Sequence, residues 1–149
     1  MFINCSSLQS VLLFSISIVT NMAGMFYNCY SLQSVPLFNT SNVTNMVNMF
    51  INCSSLQSVP LFNTSNVTSN FDSWTNMNSL DNVDLSFTTT INLSSGQLSA
   101  TALIKIFNNL LDRTATTSAN INITGNWGTS ALTASDRLIA TNKNWTITG

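Results

Sequence analysis

Cys5, Cys29 and Cys53 recur at a 24-residue spacing, and this column of thiols is where metal, redox or nucleophilic chemistry would first be sought. A thiolate that binds metal or attacks a carbon needs a base, a cation or further ligands beside it. The chain has no histidine and no glutamate, its five aspartates all lie at or beyond Asp72, and its four cations are Lys105, Arg113, Arg137 and Lys143. The cysteines therefore read as a buried ladder filling a small slot, with an odd count and parallel side-chain directions favouring reduced thiols. General acid-base work would fall to the aspartates, and no serine has an identifiable base partner, so no enzymatic activity is expected. Asp81 and Asp84 lack the companion ligands of a calcium loop and read as solvated turn residues. No metal and no cofactor are expected.

The element that positions these thiols is a repeat. MFINCSSLQSVLLFSISIVTNMAG, MFYNCYSLQSVPLFNTSNVTNMVN and MFINCSSLQSVPLFNTSNVTSNFD follow one another in register, one per 24-residue period. A unit this short cannot bury its own apolar face, so neighbouring copies must stack into a solenoid. Leu8, Leu32 and Leu56 share a column, as do Val11, Val35 and Val59, and then Leu13, Leu37 and Leu61. These columns are expected to be the core. The same phase places Leu80, Val83 and Leu85 in a degenerate fourth unit over residues 73–96, with Trp74 in the column of Phe2, Phe26 and Phe50.

Within a unit, SLQSVPLF reads as a short strand with Val35 and Leu37 turned inward, and Pro36 places its nitrogen at a gap, an edge or a bend. In TSNVTNMVNMFINC, Val43, Met46, Met49 or Phe50, and Cys53 recur every three or four residues, which predicts a short helix or helical turn capped by Thr40 or Ser41. Each unit offers about six large apolar side chains, each worth roughly 1.5 to 3 kcal/mol when buried, so a unit is stable only between neighbours. Beyond residue 96, Ser99 can cap the run ATALIKIFNNLL, and Thr133 with Asp136 fits a capping box. INITG from Ile121 recurs as WTITG from Trp145, one period further along. The fold class is thus an α/β repeat solenoid: leucine-rich-repeat-like coils with short parallel strands and short helices in 1–96, continued by helix-strand capping units in 97–149.

The first unit is greasier than those behind it. Where the second carries Pro36, Thr40 and Asn42, it has Leu12, Ile16 and Ile18. These residues are expected to form an assembly interface with an upstream domain, a virion component or another subunit. SVLLFSISIV has no basic flank and fits the repeat columns throughout, so it reads as repeat rather than signal peptide. No stretch approaches the ~18 to 20 apolar residues of a spanning helix, so no membrane insertion is expected. With every cation in the C-terminal part, nucleic-acid binding is not expected either. Asn-x-Ser/Thr triplets, as at Asn4, Asn39, Asn42, Asn52, Asn63 and Asn66, follow from a composition rich in these residues.

The pattern MFxNCxSLQSVPLFNTSNVTNM, covering residues 1–72, resembles the BspA-like leucine-rich-repeat surface proteins. The resemblance implies a non-catalytic recognition or adhesion module that binds a host-surface glycan or protein. Its setting would be a bacterial surface adhesin or a bacteriophage tail fibre, localised to the virion or the cell surface. On that reading the candidate contacts are the ladder Gln9, Gln33 and Gln57, the turn residues Asn39, Thr40, Asn42, Thr44, Asn63, Thr64, Asn66 and Thr68, and Tyr27 and Tyr30, which can stack on a sugar. The competing reading gives the Asn and Thr groups to backbone carbonyls. A structural virion or fibre component and, more distantly, an ice-binding array of regularly spaced threonines are the alternative functions.

Overall fold

A computed structural model describes residues 1–68, 75–86 and 90–149. Expectations placed on Asp72 and Trp74, and on the side chains of Val83, Asp84 and Leu85, lie outside the described residues. The regular elements are β1 (Ser58–Asn63), β2 (Asn82–Ser86), β3 (Ile91–Asn92), α1 (Ala100–Asn109), β4 (Ala119–Asn122), a 3-10 turn at Thr129–Ala131, α2 (Ala134–Thr141) and β5 (Trp145–Thr148). All strand pairs among them are parallel.

Register shows how the chain is wound. Ser10 bridges Ser34 and Ser34 bridges Ser58, and Ser58 in β1 pairs with Asn82 in β2, each step being one 24-residue period. On the other side of the unit, Asn21 bridges Asn45 at the same spacing. The first ladder thus runs through four units and the second joins the first two, with the apolar columns between them. Phe2, Phe26 and Phe50 stack with centroids 5.6 and 5.7 Å apart and planes within 5°. Phe14, Phe38 and Phe62 form a second column beside the first, at 5.1 and 6.4 Å.

The predicted third core column is displaced by one residue. Leu13, Leu37 and Leu61 are 67%, 60% and 53% exposed, whereas Phe38 and Phe62 are buried. In the third unit the β1–β2 register shifts between Val59 and Phe62, so the inward residues are three apart and not two; Leu13 faces out in the first unit as well, where Leu12 stands in the proline column. Pro60 supplies no ladder N–H, and an irregularity there exchanges the faces that follow it. The third and fourth units make continuous strands here, β1 and β2; the first two make single bridges at Ser10 and Ser34.

The helix expected in TSNVTNMVNMFINC is absent, and the segment is a chain of turns. Met49 N donates to Met46 O and Cys53 N to Phe50 O, while Asn48 and Asn52 adopt φ of 57° and 63°. Left-handed residues end any helix, and asparagine is the side chain that tolerates them best after glycine. Amides released from helical pairing turn to the next unit instead: Phe26 N donates to Met49 O and Asn28 N to Ile51 O. One left-handed asparagine recurs per unit at Asn4, Asn28, Asn52 and Asn76, and their carboxamides form a ladder, Nδ2 of each later residue donating to Oδ1 of the one before at 2.8, 2.7 and 2.7 Å.

Past residue 96, helices replace the first-side strands. α1 starts at Ser99, whose side chain accepts from Ala102 N, and α2 starts at a capping box in which Thr133 and Asp136 serve each other's backbone. The 24-residue beat does not extend to these units. β3 pairs Ile91 with Ile121 and β4 pairs Ile121 with Ile147, both steps longer than the period, so INITG and WTITG are paired two positions out of their sequence alignment. A helix advances about 1.5 Å per residue against about 3.3 Å for a strand, so a unit that crosses one side as helix needs more residues. An even slip leaves the same face inward. Buried Asn126 ties the junction, donating to Leu93 O and Ile123 O at 2.8 and 2.9 Å and accepting from Leu98 N at 2.9 Å. Lys143 Nζ closes the C-terminus of α1 on the carbonyls of Phe107, Asn108 and Leu110.

Two urea-denaturation comparisons check this account. Phe38→Ala should cost about 3 to 5 kcal/mol and Leu37→Ala no more than about 0.5 kcal/mol; the inward-Leu phase requires the reverse order. Asn52→Ala should cost about 2 to 3 kcal/mol, from two ladder hydrogen bonds and the left-handed backbone, with Asn52→Gly recovering about 1 kcal/mol of it.

Candidate functional site

Cys29 and Cys53 are sealed between units, and Cys5 is partly covered. Cys29 Sγ donates to Phe2 O at 2.9 Å and Cys53 Sγ to Phe26 O at 3.1 Å, each reaching the unit before its own. Burial pushes the Cys29 thiol up, and burial together with the neighbouring Cys29 pushes Cys53 up to about 12. A thiol held so firmly protonated is a poor nucleophile and a poor metal ligand.

Most of the polar residues proposed as contacts are occupied within the molecule. Thr40 and Thr64 are buried, at 1% and 3% exposure, and leave the contact set; Thr40 Oγ1 donates to Asn63 O at 2.9 Å. Their column points inward, and Ile16 fills the same slot in the first unit at 4% exposure. Ile16 therefore leaves the exposed interface expected from the sequence, while Leu12 and Ile18 stand out at 88% and 92%.

Asn42 and Asn66 are exposed but direct Nδ2 to Ser17 O and Ser41 O, at 2.7 and 2.6 Å. Thr44 donates to Thr20 O at 3.1 Å and Thr68 to Thr44 O at 3.5 Å. Asn39 Oδ1 accepts from Ser41 N, and Asn63 Oδ1 from both the backbone and hydroxyl of Ser65. These groups hold turns and tie units together, the role of such side chains in tight backbone.

Gln9, Gln33 and Gln57 differ. All three are exposed, their backbones carry the inter-unit ladder from Gln9 O to Gln33 N and from Gln33 O to Gln57 N, and their carboxamides engage no group among the described residues. The ladder continues through Asp81 N, which donates to Gln57 O, to Lys105, whose Nζ donates to Asp81 O at 3.2 Å. The stripe Leu13, Leu37 and Leu61 runs along the same side of the stack. It went unseen in the sequence because strict alternation placed it inside; the proline three residues after Gln33 and Gln57 in SLQSVP was the available signal. Tyr30 is half-exposed and Tyr27 is more covered.

This side is a neutral, regularly spaced surface with no group titrating near pH 7 among its described residues from 1 to 68. What defines the class of this chain is thus its repeat. It belongs to the family described as Mycoplasma protein of unknown function, DUF285, whose model matches residues 1–95. Neither a curated protein nor a solved structure matches the chain.

A thiol pKa raised on folding means that the native state binds more protons, so its contribution is complete below the unfolded value and is lost as pH rises through the folded one. The urea midpoint should fall between pH 9.0 and about 12, and Cys53→Ala should flatten part of that fall. An unchanged profile in the variant would mean that Cys53 is not sealed.

Proposed function

We propose that the chain is a non-catalytic recognition module, a BspA-like repeat solenoid of leucine-rich-repeat type with a helix-strand C-terminal cap, acting at a virion or cell surface. The observation that carries this reading is the ladder of unengaged carboxamides at Gln9, Gln33 and Gln57 beside the exposed leucines. Amides at unit spacing offer paired donors and acceptors to a neutral ligand, and the leucines offer apolar contact without charge to desolvate. A host-surface glycan or an extended protein segment has that chemistry.

Tyr30 remains a stacking candidate at the edge of this surface; Asn42, Thr44, Asn66 and Thr68 contribute less because their polar atoms already have partners. The same engagement counts against an ice-binding array, whose threonine hydroxyls would have to face solvent. A structural role in a fibre is the second reading, favoured by the exposed Leu12 and Ile18. Among the described residues no helix is long and apolar enough to cross a membrane, so attachment to a surface would come from association.

Glycan-array and host-surface protein binding test the recognition reading. Gln33→Ala combined with Gln57→Ala should weaken a genuine ligand tenfold or more, about 1.4 kcal/mol, with the urea midpoint unchanged. Tyr30→Ala should have the smaller effect. Absence of any glycan or host-protein ligand, or binding indifferent to the glutamines, would leave the fibre reading.

A further inference from the structure

One column on the flank of the stack keeps the 24-residue step through a change of chemistry. Gln9, Gln33, Gln57, Asp81 and Lys105 succeed one another at that spacing, and all five are exposed. Backbone hydrogen bonds run from Gln33 N to Gln9 O, from Gln57 N to Gln33 O and from Asp81 N to Gln57 O, so the first four side chains stand one strand spacing apart, about 4.8 Å. Lys105 Nζ already donates to Asp81 O. The three carboxamides and the Asp81 carboxylate engage no group among the described residues. Four successive steps thus present hydrogen-bonding groups that the fold itself does not use. Leu37 and Leu61 stand exposed beside them. The units that carry Gln33 with Leu37 and Gln57 with Leu61 each have a neighbour on both sides, so this surface belongs to the flank and not to an end.

Step, area and charge decide what fits. An extended polypeptide lying along the column brings its same-face side chains round every 6.6 Å or so, about two residues of strand, which falls out of phase with the ladder at once; one lying across it meets a single amide. A stable protein contact takes about 800 Å² from each partner, whereas four strand spacings by the four residues from glutamine to leucine give on the order of 200 to 300 Å². A straight chain of pyranose rings advances by about one ring length per residue, close to one strand spacing. Each ring carries hydroxyls at its edge and C–H groups on its face. Amides and a carboxylate pair with the hydroxyls, and leucine gives the C–H groups apolar contact. Asp81 at the fourth step disfavours an acidic chain.

We infer that this column binds a straight, uncharged glycan laid along the stacking axis, one ring per unit from Gln9 to Asp81. That assignment rests on the recognition reading and narrows its ligand to one class. Affinity then comes from repetition, each added ring reaching one more unengaged group at the same step.

Titration calorimetry of the intact chain with cello-oligosaccharides and chito-oligosaccharides of one to six rings tests it. Affinity should rise with each ring up to four, by about tenfold or more from two rings to four, and stay level beyond. Malto-oligosaccharides, whose chains coil, should bind no better at four rings than at two. Gln33→Ala combined with Gln57→Ala should abolish the dependence on length and leave the urea midpoint unchanged, and Asp81→Ala should move the plateau from four rings to three. Gln33→Ala alone serves if the double variant does not fold. Affinity independent of length, equal binding of coiled and straight chains, or no binding of either straight series overturns the inference. A protein ligand that binds through the glutamines would overturn it and leave the recognition reading standing; failure of every glycan and protein to bind through them would overturn both.

Discussion

The buried apolar columns of the repeat are covered by the next unit along, and this dependence on a neighbour shapes the rest of the molecule. A single unit has too little chain to wrap its own side chains, so burial, backbone pairing and side-chain hydrogen bonds all act across the 24-residue step. The phenylalanine columns show it most directly: Phe26 lies between Phe2 and Phe50 with near-parallel planes, an arrangement that exists only while three successive units stay in register. Cooperativity follows, because a unit that lifts away uncovers both neighbours.

The same constraint consumes most of the polar composition. A chain bent this often leaves backbone groups that neither helix nor continuous sheet can pair, and the asparagines and threonines of TSNVTN supply partners for them. Polarity in this protein is therefore mostly inward-looking. What remains for an outside partner is a narrow selection: the glutamine ladder, the leucines beside it, and Tyr30. A surface that lacks charge suits neutral partners and gives up electrostatic steering, so recognition there would depend on repetition and shape.

Local backbone and packing agree across the repeat. The left-handed asparagines turn the chain where helix would otherwise propagate, and the ladder their carboxamides form makes the same residue serve two ends, tight turn and inter-unit tie. The proline step, a defect by strand rules, lets Phe62 take the inward place that alternation would give to Leu61. In the C-terminal part the stack survives a change of material from strand to helix, because parallel pairing of β3, β4 and β5 continues on the opposite side.

The sequence by itself determined the period, the columns, the absence of clustered charge, the caps at Ser99 and Thr133, and the likeness of the units, since all of these are properties of residue type and spacing. Tertiary structure alone decided where the inward phase shifts, so that the leucine and valine columns stay inside and the Leu13, Leu37 and Leu61 column does not. Leu61 and Phe62 are equally apolar, and the register shift between Val59 and Phe62, seen against β2, sends one out and the other in. Thr40 and Thr44 look alike in the sequence, yet one is buried and the other lies at the surface, because the fold carries one past the core and the other along its edge. The pairing of β4 with β5, two positions out of the alignment that the sequence suggests, has the same origin: register is set by what packs across the stack, and an even slip costs nothing in sidedness.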